Sequence, residues 1–142
     1  PQVHFGMDPE FSMKDGVTRP GKKIGTYDAA DINYVSDYLA KLVRKYNLPP
    51  KILIVHRFTE KMVTNYKNIK LHPEVQLVMD MDGWCEPELK EGTWLYFIHN
   101  QPVQFAGFKL FYKNDIKKPP HHMLTPQEVL KNKPYPIYIQ YQ

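Results

Sequence analysis

The chain carries a single cysteine, Cys85, which excludes an internal disulfide framework and a thiolate zinc cage. No run approaches the ~20 consecutive apolar residues of a membrane-spanning helix. The excess of basic over acidic residues is small, a formal charge of +4. It is spread over Lys22, Lys45, Lys61, Lys90, Lys117 and Lys133 and forms no block, so no nucleic-acid partner is expected. There is no internal repeat, no low-complexity tract and no clear domain boundary. No Gly-x-Gly-x-x-Gly is present to hold a dinucleotide and no Gly-x-Ser-x-Gly elbow to present a serine, and no cofactor is expected. Gly16–Lys22 has the spacing of a phosphate-binding loop. Lys23, however, stands where a Ser or Thr should hold Mg²⁺, and Pro20 removes a needed amide. No secretory leader is visible, but the first residue is Pro1 and not Met, so that absence excludes nothing.

What remains is a chain of 142 residues, read as one α/β domain over 1–142 or a piece of a larger one. Proline is abundant at 13 residues, about twice its usual ~5% share. Aromatics reach 13%, with ten tyrosines, and aromatic faces suit sugar rings as well as cores.

The order of predicted elements is the most informative feature. Val3–Met7 reads as a short strand and Asp8–Ile24 as a long loop. Asp28 is placed to cap a helix reaching Tyr46, with Ile32, Val35, Leu39, Leu42, Val43 and Tyr46 at helical spacing. Lys51–Phe58 holds four consecutive β-favouring apolar residues, Ile52–Val55, as a strand covered on both faces would. Thr59 is expected to cap a short helix with Met62, Val63, Tyr66 and Ile69 on one side. Val75–Met81 is a strand, Leu89–His99 a helix interrupted by Gly92, and Phe105–Tyr112 another strand. Thr125-Pro126-Gln127-Glu128 is a capping box with proline at the first helical position. Ile137–Tyr141 is extended. Alternating strands and helices predict a mostly parallel sheet. Two architectures fit: a small doubly wound parallel sheet, or half of a (β/α)8 barrel, which in full needs roughly 250 residues.

In both architectures ligands meet the carboxyl ends of the strands. There the chain delivers Asp8-Pro9-Glu10, then His56-Arg57, then Asp80-Met81-Asp82-Gly83-Trp84, then Tyr112-Lys113-Asn114-Asp115 just after Lys109. A single such group is ordinarily a solvated loop residue, but the repetition at every strand end points to a site. Asp8 and Glu10 are two apart, as are Asp80 and Asp82, so in extended chain each pair shares a face. Paired carboxylates serve glycosidic hydrolysis, one protonating the leaving oxygen and one attacking or activating water. They also serve a hard metal ion, or simply cap turns. His56 is either a core histidine or a base. Lys109, set among Phe108, Leu110 and Phe111, needs a carboxylate partner because an unpaired buried charge is costly. Trp84 can stack on a ligand or cap the core. His121-His122 reads as solvated, and Cys85 as incidental.

The segments His4–Phe11, Leu48–Phe58, Val78–Trp84, Gly107–Tyr112 and Tyr138–Gln142 resemble a family of poorly characterised bacterial envelope proteins, many of them lipoproteins. Their fold looks like a glycosidase-type (β/α)8 barrel, of which this chain would be the C-terminal half. The resemblance implies export to the cell envelope or beyond, with membrane attachment through a lipid signal upstream of Pro1. It carries over no catalytic assignment.

The expectation is therefore a carbohydrate-active hydrolase. Glu10 would be its general acid and Asp82 or Asp80 its nucleophile or base. Asp8, His56, Lys109 and Tyr112 would orient substrate hydroxyls, and Trp84 would stack on a sugar. The alternatives are a non-catalytic glycan-binding protein, and a metal-dependent phosphoesterase using Asp8, Asp80, Asp82 and His56.

Overall fold

The computed structural model describes residues 3–118 and 120–142. In chain order its regular elements are β1 (Phe5–Met7), β2 (Tyr27–Asp28), α1 (Ala29–Tyr46), β3 (Lys51–Arg57), β4 (Val63–Thr64), β5 (Val75–Met81), α2 (Pro87–Trp94), β6 (Phe105–Leu110), α3 (Pro126–Val129) and β7 (Pro136–Tyr141). The fold is α/β. Five strands form one sheet in the order β1-β3-β5-β6-β7, every neighbouring pair parallel. Spatial order equals chain order, without reversal. The short strands β2 and β4 pair separately, also in parallel.

Helix α1 begins where its sequence says it should. Asp28 Oδ1 accepts from the Ala30 amide at 3.0 Å, and Asp31 returns a carboxylate to the Asp28 amide at 2.8 Å. It ends at Asn47, in the left-handed conformation at φ 47° that asparagine tolerates. Its buried Ile32, Leu39 and Ala40 join Leu53 and Val55 of β3, Leu77, Met79 and Met81 of β5, and Phe108 and Leu110 of β6 in one core. Trp94, Ile98 and Val129 belong to it as well. The strand residues in this core are alternate ones, so one face of the sheet packs on the helices. In β3 the remaining residues, Ile52, Ile54 and His56, are only half-buried. The Ile52–Val55 run thus has one fully buried face instead of the two expected.

Other elements differ from their sequence reading. Thr59–Ile69 is no helix but two 3₁₀ turns around β4. The Thr64 hydroxyl and Asn65 amide both donate to Asp28 Oδ2, at 2.8 and 2.6 Å, and Asn65 is left-handed at φ 54°. These ties to the start of α1 override the helical spacing. Helix α2 starts two residues earlier than expected, with Pro87 at its first turn, and runs through Gly92 unbroken. A π-helical turn, Leu95–His99, then follows. Strand β1 starts only at Phe5, and β6 stops at Leu110, two residues short of Tyr112. The Thr125 capping box forms as expected, over a helix of four residues.

Candidate functional site

The helix-free face of the sheet holds one row of side chains in register across four strands. His56 of β3 is opposite Asp80 of β5, Asp80 opposite Gly107 of β6, and Gly107 opposite Tyr138 of β7. The missing side chain of Gly107 makes this row fit. A Cβ there would lie 2.5 Å from Asp80 Oδ1 and 2.9 Å from the Val78 side chain. Asp80 is wholly buried at 0% exposure and leans into that gap. Sequence reasoning missed Gly107 as a site residue; a glycine inside an apolar strand signals close approach of another group.

The charged groups form a chain. His56 Nδ1 lies 3.0 Å from Asp80 Oδ2 and 3.4 Å from Asp82 Oδ2. Lys109 Nζ lies 2.8 Å from Asp82 Oδ1, which is the carboxylate partner the sequence demanded for that lysine. Asp80 Oδ1 accepts no hydrogen bond from any described residue. Burial raises the Asp80 pKa above the usual carboxylate value, opposed by His56 and reinforced by Asp82. Burial raises Asp82 as well, against the pull of Lys109 and His56. For His56, burial is the largest influence and pulls its pKa down. Asp80 and Asp82 together outweigh it, leaving the imidazole raised.

In front of this chain opens a cavity of about 510 Å³. Its polar wall includes Asp8, Glu10, Asp82 and Lys109; Phe11, Phe58, Trp84 and Phe111 supply aromatic wall. Trp84 is 56% exposed and lies under the Lys117 ammonium, 6.0 Å from its ring centre. Glu10 reaches the cavity from a 3₁₀ turn, Pro9–Phe11, capped by Asp8, whose Oδ1 accepts from the Glu10 amide at 3.1 Å. That turn corrects the extended Asp8-x-Glu10 pair expected from spacing. The chain returning from the long loop clamps it: the Gly25 amide donates to the Glu10 carbonyl at 2.9 Å, and Thr26 to Ser12 at 3.1 Å. A Cβ on Gly25 would collide with the Pro9 and Ser12 carbonyls. The Glu10 carboxyl is raised above its usual value, first by burial, then by Asp8 and Asp82, against a lowering by Lys109. Glu10 and Asp82 both line this cavity, and the Asp82 charge is among the influences that raise Glu10.

A buried brace supports the rim. Lys90 of α2 and Asp115 are each 1% exposed and lie 3.1 Å apart. Lys90 Nζ also donates to the Gly83 carbonyl at 2.7 Å and the Lys109 carbonyl at 2.9 Å. Asp115 accepts from the Phe111 amide at 2.9 Å and the Cys85 amide at 3.2 Å. The segments bearing Asp82, Trp84 and Lys109 are thus pinned to one another.

Of the expected residues, Asp8, Glu10, Asp82, Trp84 and Lys109 come together around the cavity, and His56 and Asp80 join through Asp82 without lining it. Tyr112 does not join them. It is exposed and stacks on Tyr141, ring centres 5.7 Å apart. Phe58, Phe111 and Gln142 line the cavity unforeseen. His122 lies 3.1 Å from Glu128 at the surface, and burial pushes the Cys85 thiol up to about 11. No group of three His, Cys, Asp or Glu side chains with metal-binding geometry occurs among the described residues. Among them, too, no helix is long and apolar enough to cross a membrane. Compared with known proteins, the chain matches no family model, no curated protein and no solved structure.

Proposed function

We propose that the protein is a carbohydrate-active hydrolase of the glycoside-hydrolase type. The observation that carries this is the joint position of Glu10 and Asp82 on one aromatic-walled cavity, with the pKa of Glu10 raised. Glycosidic cleavage needs an acid still protonated near neutral pH and a second carboxylate to attack or to activate water. Glu10 fills the first role. Asp82 fills the second: burial raises its proton affinity, and Lys109 and His56 beside it oppose that rise and favour the ionised form. Asp80 holds His56 and does not meet substrate. Asp8 adds polar wall to the cavity, and Trp84 offers a face for a sugar ring. The Lys109 ammonium occupies the position beside Asp82 that a hard cation would take, which disfavours the metal-dependent phosphoesterase reading.

The scaffold belongs to the same proposal. Sequential strand order, all-parallel pairing and ligand groups at the strand carboxyl ends support a (β/α)8 barrel of which these five strands form the C-terminal part. A doubly wound sheet ordinarily reverses its strand order at a switch point. Location in the cell envelope or outside the cell, with a lipid anchor preceding Pro1, rests on the resemblance alone. Metabolic labelling of the full-length gene product with a fatty acid tests it.

The experiment for the activity is turnover of a glycan panel by the wild type, Glu10→Gln and Asp82→Asn. Each substitution is expected to lower turnover by roughly 10²–10⁴-fold. Unchanged turnover removes the assignment. Binding without turnover, indifferent to both substitutions, makes this a glycan-binding protein instead.

A further inference from the structure

Arg57 closes β3, next to His56 but on the opposite face of the sheet. Its side chain is 1% exposed. The guanidinium carbon lies over two rings, 5.8 Å from the centre of Tyr66 and 5.2 Å from that of Phe97. Nε donates to the Thr59 carbonyl at 3.4 Å, and Nη2 to the Glu60 carbonyl at 3.4 Å and to Gln101 Oε1 at 2.6 Å. All these acceptors are neutral. Nη1, with two N–H donors, is buried and finds no acceptor among the described residues. No described carboxylate lies within ion-pair distance of this cation; Glu60 acts on it only from farther away, and a buried charge without a close partner is expensive.

Arg57 forms part of the wall of a second cavity, of about 430 Å³, separate from the one holding Glu10. Glu60, Lys61, Thr64, Tyr66 and Gln101 also line it. The Thr64 hydroxyl is already engaged by Asp28, while Lys61 is exposed and carries a second positive charge. With Glu60 counted, the lining carries a net charge of +1. A singly charged planar oxyanion matches that charge and would supply the acceptor the guanidinium lacks, since a guanidinium bonds carboxylates in its own plane.

We propose that this cavity is a binding site for a carboxylate-bearing ligand, received by Nη1 of Arg57 and by Lys61. It is independent of the hydrolase site. Acetate is the probe, titrated at constant ionic strength, with acetamide as the neutral control. Binding is read from NMR shifts of the Gln101 and Asn65 side-chain amides. Saturable shifts with acetate and none with acetamide are expected. Lys61→Gln should weaken binding about two- to fivefold, as loss of one exposed charge does, and Glu60→Gln should strengthen it by a similar factor. Arg57→Lys should weaken it roughly tenfold or more. Shifts that never saturate, that sodium chloride reproduces, or that ignore both the Lys61 and Glu60 substitutions would overturn the proposal. Those two residues are exposed, so their variants decide the matter even where Arg57→Lys fails to fold. Tighter binding of dianionic phosphate at pH 8 would overturn the charge assignment.

Discussion

Two buried ionic clusters lie close together at the carboxyl end of this sheet, and they are built differently. Lys90 and Asp115 form a closed one. The lysine has a carboxylate and two carbonyls, the carboxylate has the lysine and two amides, and Phe108 and Phe111 pack against the ammonium. The chain His56, Asp80, Asp82 and Lys109 is an open one. Asp80 Oδ1 has no donor among the described residues, and Asp82 and Lys109 reach a cavity wall. A satisfied network fixes a conformation, whereas groups held short of satisfaction and facing a cavity have binding capacity to spare. The first therefore reads as scaffold and the second as chemistry.

The largest expected effect breaks the closed cluster. Lys90→Ala strands Asp115 in the core and should cost about 3–5 kcal/mol of stability, measured by urea denaturation. Removing both charges with Lys90→Met and Asp115→Leu together should cost much less than two such losses. A cost near zero for the single change would contradict the structural role. Next in size is Gly107→Ala. The new methyl group meets Asp80, so about 1–3 kcal/mol should be lost and His56 displaced. If the protein tolerates it with turnover intact, the row across β3, β5, β6 and β7 is not what holds the site. Trp84→Ala should leave folding unchanged and weaken glycan binding by about 0.5–1.5 kcal/mol, read by calorimetry.

The smallest effects are in titration. His56 has a raised pKa in the folded state, so it binds protons more tightly there than when unfolded. Its stabilising contribution is complete below the unfolded value of about 6.5 and is lost as pH rises through the folded value. Wild-type stability should thus fall on the alkaline side of that point more than that of His56→Gln. In Asp80→Asn the NMR-detected His56 pKa should drop, because burial is left with less opposition. A constant value would mean that the short contact with Asp80 does not govern the histidine.

The sequence showed much of this where physics leaves little choice. A lysine among Phe108, Leu110 and Phe111 must find an acid, and Lys109 finds Asp82. Asp80 and Asp82, two apart on an extended strand, share a face, and both reach His56. The errors arose where long-range contacts decide. Met62, Val63, Tyr66 and Ile69 have helical spacing, but Thr64 and Asn65 are held by Asp28, 36 residues before Thr64. Asp8 and Glu10 follow a 3₁₀ turn because Gly25 and Thr26 return to bind it. Tyr112 lies beyond the end of β6, where its amide donates to the Gln142 carbonyl at 2.8 Å and its ring stacks on Tyr141, away from the cavity. Arg57 shares its parity with Leu53 and Val55 and follows them to the helical side, while His56 faces the site.

The proposed hydrolysis requires Glu10 and Asp82 to act on each other across one cavity, and a carbon-13 NMR titration of the Glu10 carboxyl tests this without knowledge of any substrate. In the wild type Glu10 should titrate above its ordinary value of 4.5, and Asp82→Asn should bring it down, since the Asp82 charge is one of the influences raising it. A Glu10 that titrates at the ordinary value and does not respond to Asp82→Asn would mean that the two acids do not share a site.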